Sequence, residues 1–175
     1  MQRVSVVGAS GAGKSTLARA IADRLALPHV ELDSIYHQPG WVPLPAAEFT
    51  ARVAAAVTAD RWVIDGNYSA VRPLIWAHAD TVIWLDLPRR TVMRRLVWRT
   101  LRRVAGRAEL WNGNRERLRA VLSRDPGESL LVWAWQHYPV YRERYTAAMA
   151  DPANAHLRFV RITGRAGLRR LLDGR

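Results

Sequence analysis

The sequence predicts an α/β fold in which a five-stranded parallel sheet carries helices on both faces. Five short runs rich in β-branched and apolar residues alternate with stretches of helical periodicity, the pattern of repeated βαβ units with right-handed crossovers. A glycine-rich segment, Gly8-Ala9-Ser10-Gly11-Ala12-Gly13-Lys14-Ser15-Thr16, lies between the first strand and the first helix. Lys14 inside it is the only lysine among 27 basic residues, all others being arginine. A lone lysine against that background marks a position where a compact, flexible ammonium is needed rather than a planar fork.

Each element has its own signal. Arg3 to Val7 is a short β-branched strand, and Leu17 to Leu27 repeats apolar residues at helical spacing through Leu17, Ala20, Ile21 and Leu25. His29 to Leu32 is the second strand, followed by Asp33 and a loop from Ser34 to Pro45. Ala46 to Ala59 is alanine-rich and helical; Arg61 to Asp65 is the third strand, running into Gly66-Asn67-Tyr68-Ser69. A short helix covers Ala70 to Ala77. Thr81 to Leu87 is an apolar strand of the kind buried on both faces, and Pro88 ends it. Arg89 to Val104 is a helix, Ala105 to Asn114 a loop, and Arg115 to Ser123 and Glu128 to about Met149 two further helical stretches, the second with a kink or break at Pro139. His156 to Ile162 is the last strand and Arg165 to Leu172 a closing helix.

Gly8, Gly13, Lys14 and Ser15 satisfy G-x-x-x-x-G-K-[ST], the phosphate-loop pattern, in its proper strand–loop–helix setting. Glycines let the backbone turn tightly and aim its N–H groups inward, and the following helix presents its positive end to the same anion. Gly8, Ser10, Gly11, Ala12, Gly13, Lys14, Ser15 and Thr16 are therefore the expected binding residues for the phosphates of a nucleotide. Lys14 reaches the β- and γ-phosphates, and Ser15 helps hold Mg²⁺.

A chain of 175 residues suits a single domain, 1–175, with a lid segment at about 95–125 within it. The absence of cysteine excludes disulfides, thiolate metal sites and cysteine nucleophiles. No basic n-region with a long apolar stretch precedes the first strand, and no run approaches about 18 consecutive apolar residues; the expectation is a cytoplasmic protein that does not engage membranes. The net charge of +12 favours polyanionic partners, either the phosphates of a nucleotide or nucleic acid.

Ligands of parallel sheets bind outside the carboxyl ends of the strands. Asp33 and Asp65 are each the first acid past such an end and share the crevice with the phosphate loop. The expected roles are Mg²⁺ binding for Asp65, with Ser15, and orientation or deprotonation of an acceptor hydroxyl for Asp33. Asp86 also ends a strand, but with Pro88 so close it is read as structural; His37 and His78 are lone histidines without a second ligand at metal spacing. At about 100° per residue, Met93, Leu96, Val97, Leu101 and Val104 form one stripe of the Arg89 helix, with Arg95, Arg99 and Arg102 opposite it. That cationic face is either a solvated surface or part of a lid whose Arg95 and Arg99 close on the transferring phosphoryl group, hinged by Gly106 and Gly113. The eight tryptophans read mostly as core or packing anchors, with stacking on a base the alternative for Trp41 and Trp111, both in loops.

Together GASGAGKST, the strand-end Asp33, RWVIDGNY and the arginine-rich helix after TVIWLDLP resemble the adenylate-kinase-like P-loop small-molecule kinases, and within them the DNA topology modulation proteins. The likeness covers about residues 1 to 145. It implies a P-loop NTPase fold with an arginine-rich lid, Mg-ATP at Gly8 to Thr16, and transfer to a nucleotide or other small-molecule acceptor. The group's name also implies an alternative, a nucleotide-regulated protein that binds DNA without small-molecule kinase activity. Where adenylate kinases carry Asp-Gly-Phe-Pro-Arg, this chain has Asp65-Gly66-Asn67-Tyr68-Ser69, so Ser69 replaces the arginine that grips the acceptor's phosphate, with Arg72 as the substitute in reach. No arginine lies between Asp33 and Pro45 either. Both departures count against a nucleoside monophosphate as acceptor.

Overall fold

The computed structural model describes residues 1–106, 109–115 and 129–173. Five parallel strands, β1 (Arg3–Gly8), β2 (His29–Glu31), β3 (Trp62–Asp65), β4 (Thr81–Leu85) and β5 (Arg158–Ile162), pair in the order β2-β3-β1-β4-β5. Every residue of β3 and β4 is buried, as is β1 from Val4 on, which is why these runs read as continuous apolar strands rather than alternating ones. The helices cover both faces: α1 (Lys14–Leu25), α2 (Leu32–Tyr36), α3 (Ala46–Val57), α4 (Arg72–His78), α5 (Arg89–Ala105), α6 (Leu130–Ala150) and α7 (Arg165–Asp173). Because β2 and β4 lie on opposite sides of β1, the chain reverses direction across the sheet at the end of β1, the position where such sheets open a ligand crevice.

Several boundaries differ from the sequence reading for identifiable reasons. The second strand stops at Glu31, and Leu32 begins a short helix instead of ending the strand. Leu32 is buried against the core, which turns Asp33 into the first helical turn rather than leaving it at a strand end. Helix α6 neither breaks nor stops at Pro139. Proline removes the N–H that would bond the carbonyl four residues back; here that carbonyl, on Trp135, accepts from Arg89 Nη2 at 2.6 Å, and the same guanidinium stacks 3.4 Å over the Trp135 ring. The orphan created by proline is thus satisfied by a neighbouring helix. Upstream, Ser129 caps α6 by accepting from Val132 N–H, worth about 1 kcal/mol.

Helix α5 is rotated from the expected phase. Its buried line is Val92, Leu96 and Thr100, whereas Val97 and Leu101 of the predicted apolar stripe are exposed. The turn from Val92 to Leu96 packs directly on the phosphate loop, where a Cβ on Gly11 would stand 2.8 Å from the Val92 carbonyl and 2.9 Å from Leu96 Cβ. That contact draws the neighbouring arginine edge inward. The expected helix Arg115 to Ser123, apart from Arg115, and the distal part of the lid segment lie outside the described residues.

Candidate active site

The loop after β1 has the backbone its glycines predict. Gly11 and Gly13 adopt φ of +88° and +100°, a region L-residues with side chains rarely enter. Gly13 is the N-cap of α1, whose first turn carries no acidic residue and no side-chain cap, leaving the helix's N-terminal N–H groups for an external anion. Asn67 ties down the start of the loop: its Nδ2 donates to the Gly8 carbonyl at 2.6 Å and its Oδ1 accepts from Gly8 N–H at 3.2 Å. Tyr145 on α6 donates to the same Oδ1 at 3.0 Å, so one side chain links loop, β3 terminus and α6. Nothing in the sequence around Asn67 singles it out except its place two residues past Asp65.

The side chains converge as follows. Ser15 Oγ donates to Asp65 Oδ2 at 2.7 Å, and Asp65, buried, takes the His29 Nε2 on its other oxygen at 2.8 Å. Lys14 Nζ rests 3.4 Å from the Ala9 carbonyl. Desolvation in the crevice lowers the Lys14 pKa, opposed by the charges of Asp33 and Asp65 and reinforced by Arg99. Lys14 thus feels the charge of both carboxylates and of the α5 arginine edge. Arg95 donates through Nη1 to the Ala12 carbonyl at 3.1 Å. Asp33 accepts from Tyr68 Oη at 2.7 Å. Burial above all, with the Asp33 charge and this bond, pushes the Tyr68 phenol far above its ordinary range, so Tyr68 remains a neutral donor. Ser10 is part of the loop, Thr16 is exposed in the first turn of α1, and Arg102 is exposed.

Ser15 and Asp65 present hydroxyl and carboxylate oxygens, the donor chemistry of a hard cation such as Mg²⁺. His29, Glu31 and Asp65 also offer ligand atoms within 4.8 Å of one another. Within that cluster both Glu31 oxygens are already engaged, by Arg19 Nη2 at 2.8 Å and Trp111 Nε1 at 2.7 Å. His29 and Glu31, two apart on one face of β2, reach Asp65 only because β2 lies beside β3. Asp86 is structural: Arg161 and Arg142 both pair with it.

The loop after α5 is clasped to the opposite wall. Asn112 Nδ2 donates to the carbonyls of Ser34 and His37 at 3.2 and 2.6 Å, and Asn114 Nδ2 donates to the Gln38 carbonyl at 2.9 Å. Trp41 N–H donates to Asn114 Oδ1 at 2.8 Å and Trp41 Nε1 to the Arg115 carbonyl at 3.1 Å. The Trp41 indole N–H thus joins the two loops, whereas the Trp111 indole N–H donates to Glu31 on β2, so both serve as packing anchors here. Next to the crevice, α2, α3, the segment after β3 and α6 enclose a cavity of about 500 Å³.

No family model and no curated protein matches the chain. Among solved structures, a shikimate kinase from Bacteroides thetaiotaomicron superposes with a TM-score of 0.58 at 15% identity over 99% of this chain and 95% of its own. A shikimate kinase from Acinetobacter baumannii, in complex with shikimate, gives 0.56 at 16% identity over 99% and 90%. A gluconokinase from Sinorhizobium meliloti gives 0.50 at 18% identity over 99% and 94%. At these identities the likeness is one of fold: the chain has the fold of the P-loop small-molecule kinases.

Proposed function

We propose that the protein is a Mg-ATP-dependent phosphotransferase acting on a small-molecule acceptor. The observation that carries this reading is the meeting of Lys14, the Ser15–Asp65 pair and Asp33 in one crevice beneath Arg95. Phosphoryl transfer demands positioning and charge neutralisation more than covalent chemistry, and each demand has a residue. The loop amides from Gly8 to Ser15 and the N-terminus of α1 bind the phosphates, with Lys14 on the β- and γ-groups. Ser15 and Asp65 would hold Mg²⁺, which when bound neutralises charge between those groups. His29 holds Asp65 from behind. Asp33, one oxygen fixed by Tyr68, receives the proton of an acceptor hydroxyl as the new O–P bond forms and the bridging bond to ADP breaks. Arg95 and Arg99 stabilise the equatorial charge of the transferring group.

The alternative of a nucleotide-regulated DNA-binding protein rests on the +12 charge, and the inward turn of Arg95 onto the phosphate loop supports the kinase reading over it. Salt-titrated DNA binding that is steep but indifferent to sequence and topology would assign any affinity to charge alone.

The direct test is transfer of labelled γ-phosphate from Mg-ATP to a panel of small hydroxyl and phosphate acceptors, with Lys14→Ala alongside. Lys14→Ala is expected to fold normally and to lose about 10²–10³-fold in rate; an undiminished rate would refute the assignment.

A further inference from the structure

The cavity beside Asp33 has walls and charges that define a chemical class of ligand. On one side Tyr36, Phe49 and Tyr68 form a mutually packed aromatic group with ring centroids 4.7 to 5.2 Å apart. Across from them α6 contributes Trp133 and Tyr141, themselves 6.1 Å apart in an edge-on arrangement. All five rings line or border the same space of about 500 Å³, a volume ordinary for a small organic ligand. Such walls match the faces of a flat ring, whereas a flexible polyol would depend on the few polar side chains of the lining, Asn67, Ser69, His137 and Arg144.

Arg144 stands at the edge of this space and Arg72 lies outside its lining, next to Asn67 and Tyr68; neither has a carboxylate partner among the described residues. Arg144, half-buried, lines the cavity and lies 5.7 Å over the Tyr141 ring. Arg72 shares Asn67 and Tyr68 with it as neighbours, has its guanidinium 5.6 Å from the Trp76 ring, and keeps a buried Nη1 with no hydrogen-bond partner. Burial chiefly, and the nearby positive charge of Arg144, lower the Arg72 pKa against the opposing effect of Tyr145. Two like charges held together with a buried donor left unmade are costly unless an anion completes them.

We infer that this cavity takes a ligand with a planar unsaturated ring and one anionic group, carboxylate or phosphate, the ring lying between the Phe49–Tyr68 wall and Trp133–Tyr141 and the anion on Arg144 with Arg72 behind it. The inference rests on the phosphotransferase reading only for calling this ligand the acceptor. Ser69, which stands at the cavity rim where an arginine was expected, has its charge supplied from α6 and from the start of α4.

Titration calorimetry tests it with the donor site saturated by AMP-PNP. Four probes separate the features: AMP and 4-hydroxyphenylacetate carry ring and anion, adenosine a ring without the anion, and gluconate an anion without a ring. The expected result is that at least one of the first two binds about tenfold or more tightly than both adenosine and gluconate. AMP preference identifies the anion as a nucleotide phosphate, 4-hydroxyphenylacetate preference as an aromatic acid, and both uphold the class. Arg144→Gln is expected to erase the advantage and Arg144→Lys to restore part of it, while neither changes AMP-PNP affinity. Gluconate binding as tightly as the ring anions, or an advantage untouched by Arg144→Gln, overturns the inference. Ring-anion binding that persists without any γ-phosphate transfer would sink the kinase reading and leave this one standing.

Discussion

A single run, Gly8 to Thr16, supplies most of the proposed phosphate end of the crevice, whereas the cavity end draws on side chains as distant in the chain as Tyr36 and Arg144. The phosphate end works through backbone: positive-φ glycines, a helix N-terminus without an internal acid, and carbonyls held by Arg95 and Asn67. The cavity end presents side-chain faces, aromatic walls and Arg144. Backbone geometry is specified by a few glycines and one lysine at set spacing, so that end is constrained and easily found. An aromatic wall can be assembled from many sequence positions, so its specificity can change while the phosphate end stays the same.

Asp33 sits where the two ends meet, and substituting it separates them most sharply. Asp33→Asn keeps the shape, retains an acceptor for Tyr68 Oη and removes the proton acceptor. Transfer is expected to fall by about 10²–10⁴-fold with nucleotide affinity nearly unchanged, as read by single-turnover kinetics beside equilibrium ATP binding. If ATP binding fell in parallel with the rate, Asp33 would belong to the phosphate end instead.

Gly11→Ala attacks the phosphate end alone. The added Cβ meets the Val92 carbonyl and Leu96 Cβ at under 3 Å on a backbone at φ +88°, so strain of about 1–3 kcal/mol is expected. Thermal unfolding should show a lowered Tm and calorimetry weaker ATP binding. Ring-anion affinity in the cavity, measured without nucleotide, should hold; its loss would show that the two ends are not independent.

The smallest expected effect concerns the clasp between the loops. His37 stacks on Trp111 at 6.1 Å and packs against Trp41 at 5.2 Å. Burial lowers its pKa from 6.5, against the pull of Asp33, so the folded protein binds this proton more weakly than the unfolded chain. A group of that sign contributes stability above pH 6.5 and loses it as the pH falls below that value toward the folded pKa. Amide exchange at 109–115, corrected for intrinsic rates, should therefore quicken between about pH 6.5 and pH 5. His37→Phe should abolish the pH dependence; an identical dependence in that variant would place the sensor elsewhere.

Much of the molecule was legible in the sequence because it depends on local chemistry. Arg3–Val7 and Arg61–Asp65 read as strands, Thr81–Leu87 as a strand buried on both faces, and GASGAGKST between strand and helix has one economical backbone. Asp65 beside Ser15 followed from the carboxyl-end rule. Three features were not legible. The rotation of α5 arose from the Gly11 contact, which no periodicity encodes. The survival of α6 through Pro139 needed Arg89 from another helix to meet the Trp135 carbonyl. His29, Asn67, Tyr68 and Arg144 became site residues only once parallel pairing brought β2 to β3 and α6 across the crevice. The sequence by itself thus determined the sheet, the phosphate loop and the identity of its lysine, because these rest on residues adjacent in the chain. Tertiary structure alone decided how Asp65 is held, where the cations of the cavity come from and what shape they face, because those depend on which distant side chains the packing of helices on the sheet leaves pointing into the same space.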